Sequence, residues 1–331
     1  MPEEAVVIAV DVLGGDEGPA VVLEGVARAL ATDPALKVLL TGPAQDIEPF
    51  VALHPGRVEA RATTQFISMD EHPAHAVRDK TDSSIVVGCK LVKEGSARGF
   101  FSAGSTGACM AAALLYMGRI KGVARPAIAT ILPSPAAPVI LLDVGANADV
   151  KPEYLLQFGQ MARIYAQKVL GIAEPTSALL NIGEEETKGS QLAQDAYALL
   201  QAELEGFAGN AEGTDILAAR FDIIVTDGFT GNVTLKTIEG TAGMLFAAIK
   251  QVLGASFKGK LAGALVQSDL RALAKSVSAE QTGGAPLLGL KGVCIIGHGS
   301  SSALAIANGI AVAARAVRQD ITGDIAQKLS V

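Results

Sequence analysis

Short runs rich in Val and Ile recur along the chain, most of them followed by a small-residue turn and then a helical pattern. They occupy residues 5–10, 37–41, 99–102, 139–142, 177–182, 222–226 and 292–296. A strand with one wet face alternates apolar and polar residues, whereas these runs are continuously apolar, so both of their faces must be covered. Such strands, separated by helices, imply an α/β fold with a largely parallel sheet and helices on both sides. No internal repeat or linker interrupts the rhythm. The least regular stretch, residues 52–69, suits short edge strands. Helices are expected from Pro19, from Asp82-Ser83-Ser84 to about Glu94, from Thr106-Gly107 to Tyr116, and from Pro152-Glu153 to about Val169. The last long helix should follow Ser300 and bury Leu304, Ala307, Ala311 and Ala314 on one side.

The 331 residues suffice for roughly two units of about 150 residues, or one large α/β unit. Mean hydropathy is +0.37, which raises the question of a membrane span. The longest suspicious run, between Arg125 and Asp143, contains Pro126, Pro133, Pro135 and Pro138 and cannot be a spanning helix. Met-Pro-Glu-Glu at the start is no signal peptide, and a soluble cytosolic protein is expected. With a net charge of −7, 4% aromatic residues and no Trp, the chain is a poor nucleic-acid binder. Cys89, Cys109 and Cys294 sit in apolar surroundings without a Cys-x-x-Cys pair and read as buried free thiols.

In open α/β sheets ligands bind beyond the carboxyl ends of the strands, so the turns there matter most. They hold Asp11 and Gly14-Gly15-Asp16; Gly104, Ser105, Thr106 and Gly107; Gly145 and Asn147; Gly183 to Gly189; Thr230-Gly231-Asn232; and His298-Gly299-Ser300. Gly mixed with Ser, Thr and Asn at helix starts supplies N–H and hydroxyl donors for an oxyanion or phosphate. Neither the dinucleotide nor the P-loop glycine pattern is present, so a nucleotide cofactor is not supported. His72 and His75 lack further ligands nearby and read as a polar loop. Cys109 reads as a core position. His298, between two glycines, fits a site role and a structural role equally. Lys188 either balances Glu184, Glu185 and Glu186 at the surface or aims a cation at an anionic substrate, and Arg78 and Lys80 are similar candidates.

These motifs resemble those of the bacterial phosphate acyltransferases, which act on acyl-acyl carrier protein in phospholipid synthesis. The resemblance runs from Ile8 to about Val317. It is carried by Val10-Asp11-x-x-Gly14-Gly15-Asp16, Met69-Asp-Glu-His-Pro73, Val77-Arg78-x-Lys80-x-x-Ser83-Ser84, Ser102-Ala-Gly104-x-Thr106-Gly107-Ala108, Arg125-Pro126-Ala127 and Asp143-x-Gly145-Ala-Asn147. It continues in Asn181-Ile-Gly183, Glu185, Lys188-Gly189, the run from Thr226 to Lys236, the run from Gly284 to Gly289, and His298-Gly-Ser. Val12-Leu13 departs from the family's usual Ala-Met, apolar for apolar. The loop at 134–137 is shortened and Pro-rich. The resemblance implies a three-layer α/β/α sandwich with a largely parallel, mixed sheet, like phosphotransacetylases and isopropylmalate dehydrogenases. It implies a homodimer that moves a long acyl group from acyl carrier protein to inorganic phosphate without a cofactor. The acyl phosphate would pass to a membrane glycerol-3-phosphate acyltransferase.

Phosphate is already an oxyanion at neutral pH, and a thiolate leaves readily because its thiol has a pKa of about 8.5. The reaction needs no metal and no catalytic triad. It needs two anions brought together and a tetrahedral oxyanion stabilised. Lys188 is expected to neutralise phosphate or the oxyanion, and Asn232 to donate a hydrogen bond. Gly104, Ser105, Thr106 and Thr230 are expected to cradle the anion, with Arg78, His298, Asp11 and Asn147 as further binding residues. Three other readings share features with this one: a phosphotransacetylase acting on short acyl-coenzyme A, a dehydrogenase, and a non-catalytic scaffold that binds acyl carrier protein.

Residues 241–279 oppose the charge of the rest. Lys250, Lys258, Lys260, Arg271 and Lys275 stand against Asp269, a net +4. Leu245, Ile249, Val252 and Leu253 share one helical face, and Phe257, Leu261 and Leu265 repeat at i, i+4 and i+8. Gly254, Gly259 and Gly263 argue against an isolated helix, so this face should pack on something. Core, dimer interface, and a protruding basic hairpin that meets an acidic partner or the inner membrane face through Leu261, Lys258 and Lys260 all remain open.

Overall fold

The computed structural model describes residues 5–134, 136–276 and 282–329. Residues 1–4 at the start, Pro135 in the shortened loop and residues 277–279 of the basic segment lie outside the described residues. The strands are β1 (Val6–Asp11), β2 (Leu36–Gly42), β3 (Val58–Ala62), β4 (Gly99–Ser102), β5 (Ala127–Leu132), β6 (Val139–Leu142), β7 (Ser177–Leu180), β8 (Phe207–Ala211), β9 (Ile223–Val225), β10 (Ala285–Leu288) and β11 (Val293–Ile296). The helices are α1 (Pro19–Thr32), α2 (Ala44–Leu53), α3 (Pro73–Asp79), α4 (Ser84–Lys93), α5 (Thr106–Ala112), α6 (Pro152–Tyr165), α7 (Gln191–Glu203), α8 (Gly213–Ala218), α9 (Gly228–Gly254), α10 (Phe257–Leu265), α11 (Gln267–Ser276), α12 (Ala303–Arg318) and α13 (Ile321–Leu329). A π turn extends α5 over Ala113–Met117 and α6 over Ala166–Leu170, giving both helices their expected lengths.

The strands form one eleven-stranded sheet in the order β3-β2-β1-β4-β11-β10-β5-β6-β9-β7-β8. β3, β2, β1, β4 and β11 are mutually parallel, and so are β6, β9, β7 and β8. Between the blocks, β10 is antiparallel to β11 and to β5, and β5 is antiparallel to β6. The three reversals leave the two parallel blocks pointing in opposite directions. The register brings their carboxyl ends together at the centre: Ile296 at the end of β11 lies beside Ala285, Leu287 beside Ile128, and Ala129 beside Leu142 at the end of β6. The turns that carry chemistry therefore face one another from two half-sheets.

Helices cover both faces, which is why β4, β6, β9 and β11 are buried throughout. Burying an Ile or Leu of this kind contributes about 2 kcal/mol. α12 belongs to the first half-sheet although it lies late in the chain. It packs on α1, and a Cβ added at Gly25 of α1 would stand 2.5 Å from Ile306 of α12. The buried face of α12 is only partly the expected one: Ala307 and Ala314 are buried as expected. Ile306, Ile310, Ala313 and Val317 are buried, whereas Leu304 is half-buried and Ala311 is exposed. α1 and the sheet take the branched residues, so the contact centres beside the expected stripe and turns Leu304 and Ala311 outward. β7 also stops two residues early, and Ile182 beyond it is 80% exposed.

The segment from residue 241 forms the end of α9 with α10 and α11. Within the 27-residue α9 only Gly228 and Gly231 are buried, and in α10 no residue is. Gly259 and Gly263 pack within their own hairpin, against the Leu253 carbonyl and side chain, whereas nothing stands within 4 Å of a Cβ at Gly254. Phe257, Leu261 and Leu265 stay exposed.

Candidate active site

A cavity of about 580 Å3 opens where the two half-sheets meet. Thr106 at the start of α5, Asn232 on α9 and His298 after β11 all line it. These three follow different strands, β4 and β11 in one block and β9 in the other. Ile128, Val144 and Ile296 form its buried floor.

The ring of His298 is held from one side. The backbone N–H of Ser300 donates to its Nδ1 at 3.2 Å, and the Ser300 hydroxyl lies 2.8 Å from the same nitrogen. A nitrogen that accepts an N–H carries its lone pair, so the ring proton sits on Nε2. The N–H of His298 in turn donates to Ser301 Oγ at 3.1 Å. With Nδ1 accepting, Nε2 is the donor of the ring, and a donor suits a developing negative charge. Asn232 stands near Gly145, where an added Cβ would be 3.9 Å from the amide. It is not the cap of α9. That position belongs to Asp227, whose carboxylate accepts the Thr230 N–H at 2.8 Å and the Thr230 hydroxyl at 2.7 Å. The Asn232 amide is placed for the cavity, one turn into the helix.

Several expected binding residues serve the framework. Asp11 is buried, accepting the Ser102 hydroxyl at 2.7 Å and the Leu13 N–H at 3.0 Å. Burial pushes its carboxyl above the usual value, against the hydrogen bonds from Ser84 and Ser102 that hold it down. Asn147 donates its amide to the Pro126 carbonyl and to Asp143, so both of its N–H groups are occupied. Asp143 is the counterpart of Asp11 in the second block. It accepts N–H groups from Ile128, Ala146 and Asn147, and burial pushes its carboxyl up as well. Gly104 donates its N–H to Ser102 Oγ, and Ser105 caps α5 by accepting from Ala108. Of the expected cradle, only Thr106 lines the cavity; Gly104 and Ser105 are engaged in the turn that starts α5. Arg78 is exposed at the end of α3 and does not line the cavity.

Thr230 faces a second cavity of about 280 Å3, together with Asn181, Gly189, Ser190 and Asp227. Lys188 lies in the loop beside it, 3.7 Å from Glu185 and 46% exposed, and lines neither cavity. The structure thus separates Lys188 and Thr230 from Asn232 and His298. Two charged residues that the sequence reading did not single out do line the larger cavity: Lys236 and Glu239, paired at 2.7 Å. Their spacing from Asn232, four and seven positions along one helix, was the available signal.

The three thiols are free and buried, and burial pushes that of Cys109 up to about 12. His72 and His75 meet with their rings tilted by 58° and centroids 4.7 Å apart. Among the described residues no group of three His, Cys, Asp or Glu side chains is placed to hold a metal ion.

The model of the "Fatty acid synthesis protein" family matches residues 6–323. The chain belongs to this family. Its relatives include proteins named phosphate acyltransferase from Heliobacterium modesticaldum, 49% identical over 97% of this chain and 97% of that protein, and from Desulfitobacterium hafniense strain DSM 10664 / DCB-2, 48% identical over the same shares. Among solved structures, the EutD phosphotransacetylase from Staphylococcus aureus superposes with a TM-score of 0.59 at 17% identity, covering 96% of each chain. A branched-chain phosphotransacylase from Enterococcus faecalis V583 gives 0.58 at 15% identity over 94% of this chain and 99% of that one. The chain therefore has the mixed α/β/α architecture of these solved structures, as the sequence resemblance implied.

Proposed function

We infer that this chain is a phosphate acyltransferase, moving an acyl group onto inorganic phosphate in phospholipid synthesis, with long-chain acyl-acyl carrier protein as the donor. The observation that carries the reading is the convergence of Thr106, Asn232 and His298 on one cavity, within a family whose relatives bear that name.

A phosphate oxygen attacks the thioester carbonyl, whose oxygen becomes an oxyanion. Asn232 and His298 donate to that oxygen, and Thr106 orients the phosphate. The tetrahedral intermediate collapses, the C–S bond breaks, and the pantetheine thiolate leaves and is protonated from water. No step needs a general base, and donors held in place by their turns suit the charge that develops on the oxyanion. Lys188, exposed in the loop beside the neighbouring cavity, draws phosphate toward the site, and Thr230 completes the Asp227 cap that starts α9. Gly104, Ser105, Asp11 and Asn147 hold the turns in place.

The enzyme works as a cytoplasmic homodimer, for which Leu114 and Leu115 offer exposed apolar surface. Among the described residues no helix is long and apolar enough to cross a membrane. The hairpin of α9, α10 and α11 makes peripheral contact with the inner membrane face. Support for this comes from Phe257, Leu261 and Leu265 standing exposed beside Lys258 and Lys260. There the acyl phosphate is handed to a membrane glycerol-3-phosphate acyltransferase.

The deciding experiment incubates the protein with palmitoyl-acyl carrier protein, with and without phosphate, and looks for palmitoyl phosphate. Its formation only with phosphate supports the reading. Turnover of acetyl-coenzyme A in place of the carrier-protein substrate points to a phosphotransacetylase, and binding of acyl carrier protein without any product points to a scaffold.

A further inference from the structure

α9 carries an apolar stripe that begins in the cavity and ends at the hairpin. Asn232, Leu235, Lys236 and Glu239 line the cavity at positions i, i+3, i+4 and i+7. From Leu235 onward the half-buried stripe continues through Ile238, Ala242, Phe246, Ile249 and Leu253, in steps of three and four. At 1.5 Å per residue its length is about 27 Å. Facing the start of the stripe are the buried floor residues Ile128, Val144 and Ile296, and Thr130 follows Ile128 on the same face of β5.

The direction of this trough follows from the topology. β9 and β10 point the same way, so the helix that leaves β9 runs back against them. β5 is antiparallel to β10 and therefore runs the same way as α9. Both walls lead away from Asn232, one toward Thr130 and the other toward Glu239 and the hairpin. The polar groups suited to a thioester sit at one end, Ile128 and Leu235 give apolar walls beyond them, and the half-exposed Lys236–Glu239 pair stands at the rim.

We propose that this trough is the acyl-chain site: the thioester carbonyl lies at Asn232 and His298, and the methylene tail passes between Ile128 and Leu235 toward Thr130, pointing along α9 to the hairpin. The proposal rests on the larger cavity being the reaction site. The smaller cavity, walled by Leu155, Leu179 and Leu192, is the rival apolar space, but Thr106, Asn232 and His298 do not line it. In such a trough each buried methylene strengthens binding about fourfold. The enzyme then measures chain length against β5, and a chain longer than the cavity emerges beside the apolar stripe of α9.

Two measurements test this. Thr130→Phe narrows the far end, so the ratio of kcat/KM for sixteen-carbon over six-carbon acyl-acyl carrier protein should fall at least tenfold. A ratio within twofold of the wild type, in a variant with an unchanged melting point, overturns the placement. The second uses the unaltered protein with sixteen-carbon acyl-acyl carrier protein carrying a terminal diazirine. Photolabel on β5 or on residues 239–246 of α9 supports the trough, whereas label on Leu155 or Leu192 overturns it while leaving the acyl transfer intact. Absence of acyl phosphate from any chain length in the wild type would instead remove the activity itself, and the placement with it.

Discussion

Asp11 on β1 accepts the Ser102 hydroxyl of β4 at 2.7 Å, although 91 positions separate them in the chain. The Ser102 oxygen accepts the Gly104 N–H at 3.0 Å in turn, so one buried carboxylate fixes both the first strand-end turn and the turn that presents Thr106. Asp143 does the same for the second block, binding Ile128 on β5 and the turn at Ala146 and Asn147. Each carboxylate sets the shape of a cavity edge without reaching the cavity.

Asp11 sets a pH dependence. Its native carboxyl is raised above the ordinary 3.8, chiefly by burial. Below that ordinary value both native and unfolded chains hold the neutral acid, and the stability from this group is fully present. As the pH rises through the native value the stability is lost, because the unfolded chain ionises more easily. Asp11→Asn does not titrate. Urea midpoints between about pH 4 and pH 8 should therefore show the wild type at its greatest advantage over this variant in acid, and less so toward neutrality. An unchanging difference contradicts the assignment.

Asn232→Ala should lower kcat about a hundredfold, corresponding to about 3 kcal/mol for one preorganised donor, with little change in melting temperature. Asp227→Ala removes the true cap and should cost about 1 kcal/mol of stability. If Asn232→Ala melts early and turns over normally, its role is structural.

Lys188→Met should raise the KM for phosphate several-fold and leave kcat largely intact, since the side chain stands outside the larger cavity and beside Glu185. The effect should shrink as salt is added, because an exposed cation is screened over about 8–10 Å at ordinary ionic strength. A large loss of kcat with unchanged KM would put Lys188 at the reacting atoms.

Two glycines of α9 should respond in opposite directions. An added Cβ at Gly231 would meet the Asp143 carbonyl oxygen, so Gly231→Ala should cost about 1–3 kcal/mol and disturb the site. Nothing stands within 4 Å of a Cβ at Gly243, so Gly243→Ala should gain up to about 1 kcal/mol of helix propensity. Thermal melts of the two variants decide.

Flotation with anionic liposomes tests the hairpin. Each lysine near an anionic surface contributes about 1 kcal/mol, so changing Lys258 and Lys260 to Glu should release most of the bound protein, as should Leu261→Glu. Equal flotation of all three proteins rules out membrane contact. Monomers from Leu261→Glu make the segment a dimer contact.

The strands covered on both faces were legible because Val and Ile run without polar interruption, as in residues 139–142. The central reversing strands were not. β5 lies between Pro126 and Pro133, and β10 contains Pro286, a residue normally confined to edges. β10 tolerates it because Ala285 and Pro286 pair with β11, whereas Leu287 and Leu288 pair with β5. Without those two strands the carboxyl ends all seem to lie along one edge, which is why Lys188 and Asn232 were grouped. The types of site residue could be read from the turns, but their grouping depends on a reversal that the local pattern hides. The Nε2 proton of His298 likewise depends on the position of the Ser300 backbone, which spacing alone does not reveal.

The pairing of β11 with β4, and of α12 with α1, has a consequence for synthesis. A ribosome releases β1 to β4 long before residues 293–318 exist, so the first half-sheet emerges with an open edge at β4 and a bare surface at Gly25. Contacts this distant in sequence form slowly, and uncovered strand edges invite association. The nascent chain must hold half of its interior open until its last stretch arrives, and a ribosome that stalls in the hairpin leaves a product unable to close.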